Sequence, residues 1–239
     1  RFLQSDLARN WVAQGRLVET RFLHGADGEL TLEHPRIFFP SYPWEWTPGA
    51  WVAAAEITLD LCGVLLDQGL ILKDATPLNI LFQGAQPVFV DVLSIDARDP
   101  HSPRWLAYGQ FVRTFLLPML AYSRLGWPLQ TLLTRRDGYE PEEIYSALSW
   151  PARLRQPAFS AVTLPSLLAG NKKLSSGNIA PRPMKDPEVA RHVLLKTLKS
   201  LLAQMRRVTP HHKASVWSDY AETATHYSDE DHAGKRSFV

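Results

Sequence analysis

The stretch from Leu70 to Ile95, LILKDATPLNILFQGAQPVFVDVLSI, constrains this chain more than any other. Two short apolar runs, Ile80 to Phe82 and Val88 to Val90, are separated by Gln83 to Pro87, with Gly84 placed for a turn. Short apolar runs bounded by turn residues read as strands, and a Gly-bearing connection of this length reads as a hairpin. A hairpin folds the chain back on itself. Asp91, at the end of the second run, is therefore expected beside Asn79, at the start of the first. Asp74 opens the loop ahead of the hairpin and Pro77 stiffens it. The expected frame is helix, loop, strand, turn, strand, carrying two carboxylates and an amide.

These side chains suit phosphoryl transfer. That reaction needs a carboxylate to orient the acceptor hydroxyl and oxygen ligands to hold magnesium on the phosphates. Magnesium is a hard ion that takes carboxylate and amide oxygens. Asp74, Asn79 and Asp91 supply oxygens of that kind. Lys73 and Thr76, in the same loop, are candidates for phosphate contact. Thr76 also suits a capping hydroxyl, and Lys73 a structural ion pair.

The remaining chain reads mostly as helix. Residues 1 to 14 form an amphipathic pattern (Phe2, Leu3, Leu7, Trp11) ended by Gly15. The runs Leu17 to Leu23 and Leu30 to Phe39 flank Gly25-Ala26-Asp27-Gly28 and predict a first hairpin. Tyr42, Trp44 and Trp46 make the connector Pro40 to Pro48 aromatic. Thr47 then serves as N-cap, with Pro48 at the first helical position, for a central buried helix reaching about Gln68. Arg104 to Leu125 has helical spacing, and Pro118 is expected to kink or split it. Pro141, Glu142 and Glu143 open a short helix that stops before Pro151. A Gly-, Ser- and Pro-rich linker follows. Asp186-Pro187-Glu188 then opens an amphipathic helix to Arg207.

The segment around Asp74 resembles the catalytic loop and metal-binding Asp of the protein-kinase and aminoglycoside-phosphotransferase superfamily. In that family an Asp is followed five residues on by Asn, then by a short hairpin ending in Asp. The order helix, hairpin, aromatic connector, buried helix, loop is also similar. The resemblance implies an α+β, protein-kinase-like fold with a mainly helical C-lobe and a partial N-lobe hairpin, followed by a linker and C-terminal helices. On that reading residues 1–47 are the N-lobe-like region and hinge, 48–168 the helical lobe, 169–186 the linker and 187–239 a helical segment. Asp74 is the implied catalytic base, Asn79 and Asp91 the implied metal ligands, and Mg2+ with ATP the implied cofactors. Two departures stand out: Lys73 replaces the usual Arg, and Val92-Leu93-Ser94 replaces Phe-Gly. A glycine-rich phosphate loop and a strand lysine are expected before Arg1. A degenerate, pseudokinase-type lobe that binds without transferring phosphate fits the same pattern.

A narrower resemblance uses YPWEW (Tyr42 to Trp46), LKDATPLNILF, PVFVDVLSI and WLAYGQF (Trp105 to Phe111). These strings are similar to a bacterial group in which a kinase-like region precedes a class I S-adenosylmethionine-dependent methyltransferase domain. Trp217-Ser218-Asp219-Tyr220 and the residues to Val239 resemble the approach to that domain. Methyl transfer and S-adenosylmethionine binding are then expected beyond Val239.

Composition narrows the rest. A net charge of +2 gives no electrostatic case for nucleic acid, and the basic residues between Lys196 and Arg207 suit a solvated helix face. With one cysteine, Cys62, no internal disulfide can form, and its apolar surroundings predict an inert buried thiol. Eight Trp and ten Phe predict a packed core. The uncharged stretch between Pro157 and Lys172 is too short to span a bilayer. A cytoplasmic protein without membrane contact is expected, acting on a small-molecule or protein substrate. Asp96 and Asp99 suit a turn, adjacent His211 and His212 make a poor metal pair, and Ser94 has no nearby histidine to activate it. Trp44 and Trp46 suit either ring stacking on a flat ligand or packing.

Overall fold

Helix α2, Pro48–Leu65, is the spine of the structure, and its ends follow from local chemistry. The Thr47 hydroxyl accepts from the Ala50 N–H at 3.3 Å, and Pro48 sits where no donor is needed. A 3-10 turn, Leu66–Gln68, carries the chain to Gly69, whose φ of +68° is left-handed and ends the helix. Trp51, Ala54, Ile57, Leu61, Cys62 and Leu65 are buried, so the helix is apolar around most of its circumference. By length and composition Pro48–Gln68 is apolar enough to cross a membrane, the one such helix among the described residues. Here it packs against strands β3 (Leu70–Leu72) and β5 (Gln86–Phe89) and a late helix, α8 (Pro187–Val208).

This computed structural model describes residues 2–24, 30–169, 183–210, 228, 230, 231, 233 and 234. The fold is mixed and mostly helical, with three two-stranded antiparallel ribbons. Strand β1 (Arg21–His24) pairs with β2 (Leu30–Glu33), β3 with β6 (Ile95–Ala97), and β4 (Ile80–Gln83) with β5. The hairpin expected around Gly84 is present in the register Ile80↔Phe89, and Gly84 takes φ +61°. The β3–β6 ribbon joins segments too short to show alternation, so local pattern gives no sign of it.

Two expectations need correction. The second run of the first hairpin does not extend to Phe39. The strand stops at Glu33, and Pro35 and Pro40 break the ladder that would follow. Nor does the first run begin a strand at Leu17. Arg16 to Val18 instead bridge to the hairpin: Phe89 N–H donates to Arg16 O and Val18 N–H to Phe89 O, each at 2.9 Å.

Pro118 does not split its helix. Helix α3 (Tyr108–Phe111) passes into a π-helical turn, Val112–Leu116, and then α4 (Leu117–Leu125). Leu117 N–H reaches back to Val112 O, and the widened turn accommodates the proline that follows. The helix also starts at Tyr108 rather than Arg104. Beyond it lie α5 (Pro141–Ala147), α6 (Trp150–Arg153), a second π-helical turn (Phe159–Thr163) and α7 (Leu164–Ala169). Pro151 sits in the first turn of α6.

Helix α8 begins under an Asp186 cap and buries Ala190, Leu194, Leu198, Leu201 and Met205. Arg206 pairs with Glu56 at 2.8 Å and Arg191 with Asp67, aligning α8 along α2. These pairs are exposed and contribute little each; the apolar face holds the helix. Arg1–Thr209 forms one compact unit and Pro210–Val239 another. Within the second, the Asp231 carboxylate accepts from Ser228 N–H and Oγ–H at 2.9 and 2.7 Å. His211, His212 and Trp217 lie outside the described residues, as do 170–182 of the expected linker.

Cys62 is fully buried, and burial pushes its thiol from the ordinary 9.0 up to about 12. Below about pH 9 folded and unfolded chains both keep this proton. Above it only the unfolded chain loses it, so stability falls as pH rises toward 12. Native protein should resist iodoacetamide at neutral pH and label fully in denaturant. Cys62→Ala should flatten the alkaline loss in denaturant titrations.

Candidate functional site

The loop after β3 is fixed by its own backbone and by two neighbouring segments. Lys73 N–H donates to Ser94 O at 2.8 Å. The Thr76 hydroxyl accepts from Leu78 N–H at 3.4 Å, and Asn79 N–H donates to Thr76 O at 3.1 Å, forming the 3-10 turn Pro77–Asn79. Trp105 Nε1–H donates to Leu72 O at 2.7 Å, and Ala75 N–H donates to Gln110 Oε1 at 2.6 Å. Asp74 therefore sits half-buried between held peptides.

The β4–β5 ladder brings the other two residues near each other. Its register continues one step past Ile80↔Phe89, where Val90 N–H donates to Asn79 O at 2.9 Å. Asp91 is the next residue. Its carbonyl accepts from Ser94 Oγ–H at 2.8 Å and Ser94 N–H at 3.2 Å, closing the 3-10 turn Val92–Ser94.

The side chains themselves are uncommitted. Asn79 is 8% exposed and its Nδ2 has no partner among the described residues. A buried amide end without a partner costs about 1–3 kcal/mol. The carboxylates of Asp74 and Asp91 are half-buried and make no hydrogen bond or ion pair among the described residues. Such a set fits a bound cation, because the amide can turn either end toward a ligand. No three His, Cys, Asp or Glu side chains among the described residues group as a metal site. An ion here would rely on Asp91, Asn79, ligand phosphate and water, which is the habit of magnesium.

The other expected residues divide. Thr76 is occupied as a cap, and Lys73 is exposed without an ion pair among the described residues. Asp99 accepts from His101 N–H at 2.9 Å, the turn chemistry expected, whereas Asp96 lies in strand β6 opposite Ile71, and its carboxylate accepts from Ala97 N–H at 2.7 Å. Trp46 is buried against Trp51 and Phe82, whereas Trp44 stacks on Tyr42 at 5.1 Å. A cleft of about 790 Å³ is walled by Phe22, Leu32, Val92 and Ile95 and includes Asp91, but not Asp74, Asn79, Lys73 or Thr76. Ser94 is fully buried and ties the Asp91 turn to the Asp74 loop rather than facing a substrate.

Gln110, Thr114 and Trp105 were not singled out from the sequence. The available signal is a pair of polar residues one turn apart, Gln110 and Thr114, inside the apolar pattern around Phe111 and Phe115.

Asn79→Leu should leave thermal stability unchanged or raise it, since it replaces an unsatisfied buried amide by an apolar group of similar size. Ser94→Ala should cost about 1 kcal/mol by removing one hydrogen bond. Denaturant melts of the two variants separate a residue kept for function from one kept for structure.

Comparison with known proteins gives one informative likeness. The chain is 31% identical over 242 aligned residues to the nodulation protein NoeA of Rhizobium meliloti (strain 1021), covering 92% of this chain and 49% of that protein. It thus spans about half the length of the curated relative it matches. No protein-family model and no solved structure matches.

Proposed function

We propose that this chain is a kinase-like lobe that binds a magnesium nucleotide at Asp74, Asn79 and Asp91, within a longer protein of the methyltransferase type. The observation that carries the nucleotide reading is the Val90–Asn79 backbone bond. It sets the Asn79 backbone beside the residue that precedes Asp91 at the open end of one hairpin, and neither the Asn79 nor the Asp91 side chain has a protein partner among the described residues. The loop, the paired hairpin and the preceding buried helix follow one another in the order of the kinase and aminoglycoside-phosphotransferase superfamily.

In this reading Asn79 and Asp91 hold the ion, which neutralises phosphate charge when bound. Asp74, supported on both sides by fixed backbone, orients an acceptor hydroxyl and takes its proton. Thr76 keeps the loop turn closed. The methyltransferase assignment rests on the second sequence resemblance and is supported by the relative's roughly doubled length. S-adenosylmethionine would be held beyond Val239, and no residue of this chain is assigned to it.

Titration of the full-length polypeptide with ATP should show magnesium-dependent binding, and Asp91→Ala should abolish the magnesium-dependent part. Asp74→Asn should retain binding but lose turnover by about 10²- to 10⁴-fold. Equal magnesium-dependent binding by wild type and Asp91→Ala would reject the site. Binding without turnover in any wild-type preparation would favour a pseudokinase. Failure of the full-length polypeptide to bind S-adenosylmethionine would remove the methyltransferase part alone.

A further inference from the structure

We propose that Gln110 is a positioning residue: its carboxamide fixes the peptide between Asp74 and Ala75 and so aims the Asp74 carboxylate without adding charge beside it. The proposal deepens the reading of Asp74 as the acceptor base and rests on it. Ala75 N–H donates to Gln110 Oε1 at 2.6 Å, and Ala75 is fully buried. One turn on, Thr114 Oγ1 lies 2.8 Å from Gln110 O and 3.4 Å from Ala75 O. The segment just before α3 supplies Trp105, whose indole N–H holds Leu72 O on the other side of Asp74. Lys73 N–H is held by Ser94 O. The backbone on both sides of Asp74 is thus gripped by neighbouring groups, while its carboxylate has no partner among the described residues.

The chemical identity of residue 110 is informative. Glutamate would accept the same N–H, and more strongly. It would also set a second negative charge one peptide from Asp74. Leucine would fill similar space and accept nothing. Glutamine alone of these three combines an acceptor with neutrality. The grip and the charge can therefore be separated by substitution.

The test compares the full-length polypeptide with its Gln110→Leu and Gln110→Glu variants, reading amide hydrogen exchange over residues 72–79, Cys62 labelling as a measure of global opening, and magnesium-ATP turnover. Gln110→Leu should speed exchange at Ala75 by about tenfold. It should leave Cys62 protected, and it should lower kcat by about tenfold or more while KM for ATP holds. Gln110→Glu should restore slow exchange yet keep kcat below wild type, because it accepts the same N–H but sets a negative charge one peptide from Asp74. Unchanged exchange in Gln110→Leu overturns the grip. Faster exchange with unchanged kcat, or a Gln110→Glu variant with wild-type kcat, assigns Gln110 a purely structural role and overturns the proposal. A wild-type chain that neither binds nor turns over magnesium-ATP sinks the reading of Asp74 itself, a result distinguishable by its independence of residue 110.

Discussion

The site depends on the register of one hairpin. Val90 N–H on Asn79 O is the last rung of the β4–β5 ladder, and it fixes where Asp91 emerges relative to Asn79. A slip of one residue would send every side chain on a strand to the opposite face. Phe89 prevents that slip. Its ring is fully buried and its N–H and C=O are both taken by Arg16 and Val18. The N-terminal segment thus acts on the site at a distance, by locking the strand that delivers Asp91.

Local chemistry made the hairpin and the long helices readable. Gly84 at a turn, Thr47-Pro48 and Asp186-Pro187 at helix starts, and Gly69 at a helix end each act within a few residues. The β3–β6 ribbon was not readable for the opposite reason: Leu70–Leu72 and Ile95–Ala97 pair across the whole loop and hairpin, with three residues on each side. Leu17 and Val18 likewise look like the start of a hairpin strand, but their partner is Phe89. The departure from regular helix expected at Pro118 takes the form of a widened turn just before it, and nothing in the composition of Val112–Leu116 announces that turn. The positions of Asp74, Asn79 and Asp91 on the frame were legible. The groups that hold them were not, since Gln110 and Ser94 reveal their roles only through contacts distant in sequence.

Most charged side chains that matter to the scaffold have partners. Arg16 pairs with Asp60, Arg135 with Glu143, Arg191 with Asp67 and Arg206 with Glu56. Asp74 and Asp91 break that pattern, and Asn79 adds a buried amide nitrogen that bonds to nothing described. Burying polar groups without partners is unfavourable, and a fold tolerates it where a ligand completes the set. Arg98 Nε and Arg113 Nε are likewise buried without a partner among the described residues, outside this frame. Asn79 is set apart by standing in the same loop-and-hairpin frame as two carboxylates that lack protein partners among the described residues.

Besides its direct packing on α2, the frame is tied to the core through the helical region that begins at Tyr108. Trp51 of α2 donates its indole N–H to Phe115 O at 3.1 Å and packs edge-on to the Phe115 ring. Phe111 and Phe115 stack at 4.8 Å, filling the core side of that region. Trp105, Gln110 and Thr114, interleaved with these aromatics, turn toward the loop. A distortion of this helix therefore reaches both the spine and the Asp74 loop. The π-helical turn carries members of both sets of contacts: the Phe115 carbonyl receives the Trp51 indole N–H, and the Thr114 hydroxyl lies 3.4 Å from Ala75 O. The Thr114 hydroxyl also donates to the Gln110 carbonyl at 2.8 Å, so the irregular turn braces the residue that grips Ala75.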